Sequence, residues 1–297
     1  MVGLYLGPSV MQVTHPDQYG GISKPSTLHA LTSMVHNWSK GADGNGAAVR
    51  VVLFDYRKAF DFIDHNLLVR KVFGLSIPRC VASWVADFLI DRQQRVKLSK
   101  VCFWEWGPVP DGVPHGNKLG PWLYILMIND PRVSGFHSWK YVDDIAVAEI
   151  VLRGESSDIQ SAVHAVETWS GDNHMTLNAD KCKVMNIDSK KNRHAFEPVI
   201  VDGKEHSVVS SAKILGVTLS SGLRWNDHVN DAIRKANKRL YFLVLLKRVG
   251  VSPHDIMILS TFIALLLDLF TNTVRLFSIM LCPSILSTIS SEYRKGC

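Results

Sequence analysis

Tyr141-Val142-Asp143-Asp144, with the apolar run Ile145-Ala146-Val147-Ala148 behind it, constrains this chain more than any other stretch. An aromatic and a β-branched residue lead in, two acids stand side by side, and apolar residues lead out. That order reads as a β-hairpin with two carboxylates at its tip. Adjacent carboxylates repel each other unless a positive charge sits between them, and oxygen-only ligands favour a hard divalent cation such as Mg²⁺. Joined by a third carboxylate from elsewhere, such a cation would clamp phosphate oxygens for an in-line displacement. An acidic surface turn is the competing reading, and the pair alone does not separate the two.

With 297 residues, 46% of them hydrophobic and 20% charged, the chain can bury a sizeable core and form more than one subdomain. Its formal net charge of +6 suits a polyanionic partner. The five cysteines are scattered without a Cys-x-x-Cys pair, which argues against a zinc site and a disulfide framework. A reducing intracellular compartment is expected, nucleus and cytoplasm being indistinguishable. The histidines are equally dispersed, with no His-Glu-x-x-His. The apolar start, Met1 to Val13, lacks the basic leader of a signal peptide, and Gly7-Pro8 is expected to interrupt a helix there.

Helical spacing of Leu28, Leu31, Val35 and Trp38 predicts a helix over 26–39 with Ser26 as its cap. The valine-rich run Ala47 to Phe54, broken only by Arg50, predicts a strand that delivers Asp55 at its end. Asp64 caps a helix to about Phe73, closed by Gly74. Pro78 opens the next, with Val81, Trp84, Val85, Phe88 and Leu89 on one face. Strands are expected over 94–103, 183–187 and 214–219, and a tight hairpin turn at Asp202-Gly203. A short apolar helix spans 119–128, with Pro121 in its first turn. Another helix opens on a Ser157/Gln160 capping box and has Ile159, Val163, Val166 and Trp169 as its core face. A long helix runs from Asn226 or Asp227 to about Arg248. Val229, Ile233, Ala236, Leu240 and Leu243 are its apolar positions; Arg234, Lys235, Lys238, Arg239, Lys247 and Arg248 are basic. A solvated face is the simple reading of such a basic helix; beside a metal-carboxylate site, a surface for a nucleic-acid backbone is the better one. Strands and helices mix without strict βαβ alternation, so the fold class is α+β.

Six blocks occur in a fixed order. They are Phe54-Asp55-Tyr56-Arg57-Lys58-Ala59-Phe60-Asp61 with Asp64-His65, then Gly112-Val113-Pro114-His115-Gly116 with Leu119-Gly120-Pro121, then Ile128-Asn129-Asp130. The Tyr-Val-Asp-Asp hairpin follows, then Leu177-Asn178 with Lys181, and last Leu215-Gly216-Val217. Together they resemble the reverse transcriptase domain of non-long-terminal-repeat (LINE-type) retrotransposons, from about Gln18 to Val251. The resemblance implies a right-hand polymerase: partial fingers over 1–48, a palm with a small antiparallel sheet and inserted fingers elements over 49–220, and a helical thumb over 221–251. It implies an RNA-directed DNA polymerase that extends a DNA primer with dNTPs along an RNA template. By resemblance, Asp55 and Asp143 bind two catalytic Mg²⁺ ions, Mn²⁺ being the alternative, and Asp144 completes the acidic cluster. Lys181 matches a proposed acid for the pyrophosphate leaving group, an exposed lysine being the competing reading. Phe60 stands where the family carries an aromatic gate against the ribose 2′-hydroxyl; a core phenylalanine is its rival. Pro114, His115 and Gly116 belong to the loop that supports nucleotide and template, and Leu215, Gly216 and Val217 to the primer grip.

This sequence departs from the family in three places. His115 replaces a usual glutamine, and imidazole is shorter and differently shaped. Fingers sequence upstream of Gln18 is short. The tail over 252–297 leaves the family pattern; its stretch Ile256 to Leu281 is strongly apolar, and Asp268 and Arg275 within it favour a buried or aberrant tail over a membrane span. The expectation is therefore a fragmentary or degenerate copy that binds primer and template but polymerises poorly. A catalytically impaired nucleic-acid-binding remnant is the alternative. A nucleotide cyclase is a weaker rival, because the Leu215-Gly216-Val217 turn and the basic helix serve a primer-template groove that a cyclase does not need.

Overall fold

The computed structural model describes residues 2–21, 26–43, 47–114, 116–131, 133–188, 196–252, 254–255 and 257–258. In chain order the elements are α1 (Val2–Val13), α2 (Thr27–Ala42), β1 (Ala48–Phe54), α3 (His65–Phe73), α4 (Arg79–Leu89), β2 (Gln93–Gln94) and β3 (Gly107–Pro108). Next come α5 (Leu119–Met127), β4 (His137–Tyr141), β5 (Asp144–Val151), α6 (Ile159–Asp172) and β6 (Lys183–Ile187). The hairpins β7 (Val199–Val201) with β8 (Lys204–His206) and β9 (Ser211–Ile214) with β10 (Val217–Ser220) precede α7 (Asn226–Arg248).

The main sheet has the order β4-β5-β1-β6 and is antiparallel throughout. Its centre, β1, is apolar on both faces because both are covered. Val52 and Phe54 join Ile145, Val147 and Val184 under α1 and α3 to α6, while Val49 and Val51 join Ala146, Ala148, Met185 and Ile187 under α2 and the β9–β10 hairpin. Arg50 interrupts this run without being wasted. Its guanidinium donates to Ser157 Oγ at 2.9 Å and Glu197 O at 2.7 Å, lies 4.7 Å over the Phe196 ring, and its backbone faces Glu149 across the sheet.

The α+β class and the antiparallel sheet stand as read from the sequence. Several local expectations do not. Gly7-Pro8 does not break α1, which continues through Pro8. Buried Leu6 and Val10 hold it to the core, and Gly7 lies so close to Trp122 that a Cβ would stand 2.9 Å from the indole. That packing outweighs the one backbone bond proline removes. The Ser157/Gln160 box does not form. Ser157 serves Arg50 and Glu149 instead, and Gln160 bonds both backbone groups of Ile200. The stretch 214–219 is not one strand, since Leu215 (φ 48°) and Gly216 (φ 87°) turn the chain between β9 and β10. On α4, Trp84 is exposed and the buried face is Ala82, Val85, Ala86 and Leu89. His115 and nearly all of the apolar stretch after Ser252 lie outside the described residues.

Candidate active site

One end of the main sheet gathers the acids. Phe54, the last residue of β1, pairs with Ile145 of β5. The next residues outward are Asp55, just past the end of β1, and Asp144, the first residue of β5. β4 and β5 are closed by the Tyr141–Asp144 pair, which leaves Val142 and Asp143 as a two-residue loop. Such a loop needs positive φ, and here Val142 supplies it at 59°. A β-branched residue resists that conformation, at a cost on the order of 1–3 kcal/mol. A strap from the chain start holds it there: Lys140 N donates to Asp17 O and Tyr19 N to Lys140 O, both at 2.8 Å. Gly20 follows directly, with room for no side chain, since a Cβ would stand 2.6 Å from Val142 N.

The electrostatics are those of crowded anions. Partial desolvation, then the charges of Asp143 and Asp55, push Asp144 up to about 6 although the residue keeps exposed surface. Asp55 Oδ1 is buried without a hydrogen bond, and Lys181 Nζ stands 3.6 Å from it. Lys181 is placed by a loop fastened to the end of β1: Asn178 N donates to Asp55 O at 2.7 Å and Lys181 N to Asn178 O at 2.9 Å. The buried Tyr124 hydroxyl has no hydrogen-bond partner, and burial followed by the Asp143 charge raises its pKa. Among the described residues, no three His, Cys, Asp or Glu side chains are drawn together closely enough to hold a metal ion.

Phe60 is half-buried and stacks on Tyr124, ring centroids 4.1 Å apart and planes at 14°. The glycine-rich loop is stitched to the same segment. Gly112 N donates to Ile63 O at 2.8 Å and Val113 N to Phe60 O at 2.9 Å. Gly112 has φ 85°, and a Cβ there would meet Asp61 O at 2.6 Å, so only glycine allows this approach. Phe60 and Pro114 thereby share a cavity of about 610 Å³ with Lys58, Arg92 and Gln94. Gly116 is in the left-handed region, at φ 78°. Leu215 and Asp144 line one small cavity of about 40 Å³, so the β9–β10 turn lies beside the acids, while Val217 is buried in the core behind it. Tyr124, Gly20 and the buried Lys140, whose Nζ bonds Asn129 O at 3.1 Å, escape a sequence reading. Their signal is a contact across long sequence separation, which no local pattern carries.

Residues 5–219 match the family described as Reverse transcriptase (RNA-dependent DNA polymerase). The chain is 25% identical over 235 residues to the RNA-directed DNA polymerase from mobile element jockey of Drosophila melanogaster, covering 74% of this chain and 25% of that protein. It is 21% identical over 245 residues to the retrovirus-related Pol polyprotein from type-1 retrotransposable element R2 of Popillia japonica, covering 71% of this chain and 39% of that one. It therefore spans between a quarter and two fifths of these relatives. Among solved structures, telomerase from Candida tropicalis in complex with a TWJ fragment of telomeric RNA superposes with a TM-score of 0.52 at 10% identity, over 98% of this chain and 48% of the other. That likeness shows a shared fold.

Proposed function

Because the chain belongs to the reverse transcriptase (RNA-dependent DNA polymerase) family, we propose that the acidic end of its sheet is the active centre of a retrotransposon RNA-directed DNA polymerase. Asp55, Asp143 and Asp144 would hold two hard divalent ions, Mg²⁺ or Mn²⁺. The donor chemistry suits such ions, although no ready three-ligand cluster stands among the described residues: all three ligands are oxygens, one buried Asp55 oxygen has no hydrogen bond, and burial, then the charges of Asp143 and Asp55, push Asp144 up to about 6. Bound there, the ions would lower the pKa of a primer 3′-hydroxyl and steady the triphosphate leaving group. Lys181, ion-paired to Asp55 yet exposed, is the candidate proton donor to pyrophosphate.

The remaining residues position the substrates. Phe60, backed flat by Tyr124, would exclude a 2′-hydroxyl from the sugar site. Pro114 and Gly116, with His115 between them, would support the incoming dNTP against the RNA template. The turn Leu215, Gly216 and Val217 would carry the DNA primer end, and the basic side chains of α7 would track the duplex backbone. On this reading residues 1–48 are partial fingers, 49–220 the palm and 221–251 the thumb. The observation that carries it is the adjacency of Asp55 and Asp144 at one sheet end, with Asp144 pushed up by burial and then by both acidic neighbours.

A primer-extension assay on an RNA template tests it. Asp143→Asn should lower extension on the order of a hundredfold or more, since a transition-state charge contact is lost. Primer-template affinity should stay within about twofold, because basic contacts dominate it. Extension that survives the substitution removes the carboxylates from catalysis. A second reading, a nucleic-acid-binding remnant with little turnover, is favoured by the absence of a ready three-ligand cluster among the described residues. Binding without any extension by the unsubstituted chain would select it.

A further inference from the structure

Between α4 and α5 the chain leaves the body as a two-stranded arm. β2 and β3 pair at its root. Further out, Trp104 N donates to Val96 O at 2.8 Å, Lys97 bridges Phe103, and Leu98 N donates to Cys102 O at 2.9 Å near the tip. Its rings and aliphatic groups stand in water: Val101 is 90% exposed, Trp104 69% and Trp106 59%. A contiguous exposed apolar patch marks an interaction surface.

The charges on the arm indicate what it meets. Arg92, Arg95, Lys97 and Lys100 outnumber Asp91 and Glu105. The cations are interleaved with the rings. The Arg95 guanidinium lies 4.2 Å from the centroid of Phe103 and 4.6 Å from that of Trp106, and Lys97 lies 5.6 Å from Phe103. At the root, Arg92 lies 5.8 Å from Phe88, which is stacked on Trp84 at 5.4 Å and 8°. Cations matched to phosphates and exposed rings matched to base faces are the two halves of a single-strand platform. The root adds direction. Arg92, Gln94 and Pro108 line the same cavity of about 610 Å³ as Phe60 and Pro114. A strand lying along the arm would enter the cleft that holds the nucleotide-facing residues.

We propose that the arm, residues 91–108, is a stacking platform that holds an unpaired nucleic-acid strand on its way into this cleft. The proposal rests on the polymerase reading only where that strand is called template. Trp104 and Trp106 supply the stacking faces; Lys97 and Lys100 supply phosphate contacts. Stacking ignores base identity, so RNA and DNA single strands share the site, and a blunt duplex, its bases already stacked, does not use it.

The test is fluorescence anisotropy on the full chain in chelator, so that synthesis plays no part, with labelled oligouridine RNA, oligothymidine DNA and a blunt duplex as probes. Trp104→Ala with Trp106→Ala should weaken both single strands roughly fivefold or more and leave the duplex unchanged. Trp104→Phe with Trp106→Phe should retain most of the affinity, and all variants should keep the parental melting temperature. Salt separates the two kinds of contact. The alanine pair should leave the slope of log affinity against log salt unchanged, whereas Lys97→Ala with Lys100→Ala should lower it by about 1.4. Single-strand affinity that survives loss of both indoles overturns the proposal, as does a defect seen only with phosphatidylserine vesicles, which would make the arm a membrane contact. Neither outcome touches primer extension, which tests the polymerase reading by itself.

Discussion

Asp144 carries a pKa of about 6 against an ordinary value of 3.8, and the sign of that shift has a consequence. Folding places its charge in a partly desolvated spot beside Asp143 and Asp55, so the ionised form is penalised only in the folded state. Below about pH 3.8 the group is neutral in both states and the fold bears no penalty. As pH rises through about 6 the folded carboxyl ionises and that stability is lost. Asp144→Asn should therefore raise the melting temperature of the chelator-treated protein above pH 6 relative to the unsubstituted chain, and make no difference near pH 4. Added Mg²⁺ should erase the gain. A gain independent of pH would mean that repulsion is not its source. Phe60 is open to an equally direct test. Its stacking on Tyr124 fixes the ring that would meet the sugar. Phe60→Val should raise ribonucleotide relative to deoxynucleotide incorporation, and an unchanged ratio would leave Phe60 as packing alone. The acids and Phe60 were legible because each sits in a short motif. Tyr124 was not, because its role is a contact with a residue far off in sequence.

The β4–β5 hairpin shows what an element needs beyond its own residues. The aromatic and β-branched lead-in, the Asp-Asp pair and the apolar run behind it predict the hairpin, but not that its loop would place Val142 at φ 59°. What sustains that conformation is the 17–20 strap along β4, with Gly20 against the Val142 backbone. The strap is a tertiary device and leaves no periodic trace. The departures from expectation at α1 and at the β9–β10 hairpin have related causes. Packing against Trp122 outweighs a proline's local cost, and a Leu-Gly turn, marked by the family resemblance but not by hydrophobicity, interrupts an apolar run that scans as one strand. Gly20→Ala tests the strap. Its Cβ must displace the hairpin tip or itself, and a shift of about an ångström in catalytic geometry costs on the order of a hundredfold in rate. Extension should fall by about that factor in the variant while primer-template affinity holds. Unaltered extension would show that the tip does not depend on the strap.

The helix α7 is attached to the rest of the fold differently from the helices that cover the sheet. The sheet and its two covering layers form one continuous packing, whereas α7 rests on β10 and buries only His228. Its apolar positions do not form a core face: Ile233 and Leu240 are each 52% exposed. The attachment is polar and local. Thr218 N donates to His228 Nδ1 at 3.3 Å, Thr218 Oγ1 donates to Asp231 Oδ2 at 3.0 Å, and Trp225 meets the imidazole edge-on. Burial, then the Lys235 charge, lowers the pKa of His228, with Lys213 acting the same way and Asp231 opposing. A histidine with a lowered folded pKa stabilises the docked state fully above its unfolded value of 6.5, and that stability is lost as pH falls below it. Acid should therefore loosen α7 before it loosens the sheet. Hydrogen exchange, corrected for its intrinsic pH dependence, should show α7 amides losing protection as pH falls below 6.5 while β1 amides keep theirs. Primer-template affinity should fall over the same range if α7 grips the duplex. His228→Gln, which cannot take up a proton, should abolish the acid sensitivity of both readouts. Acid-induced opening that persists in the glutamine variant would place the titrating group elsewhere on the α7–β10 contact.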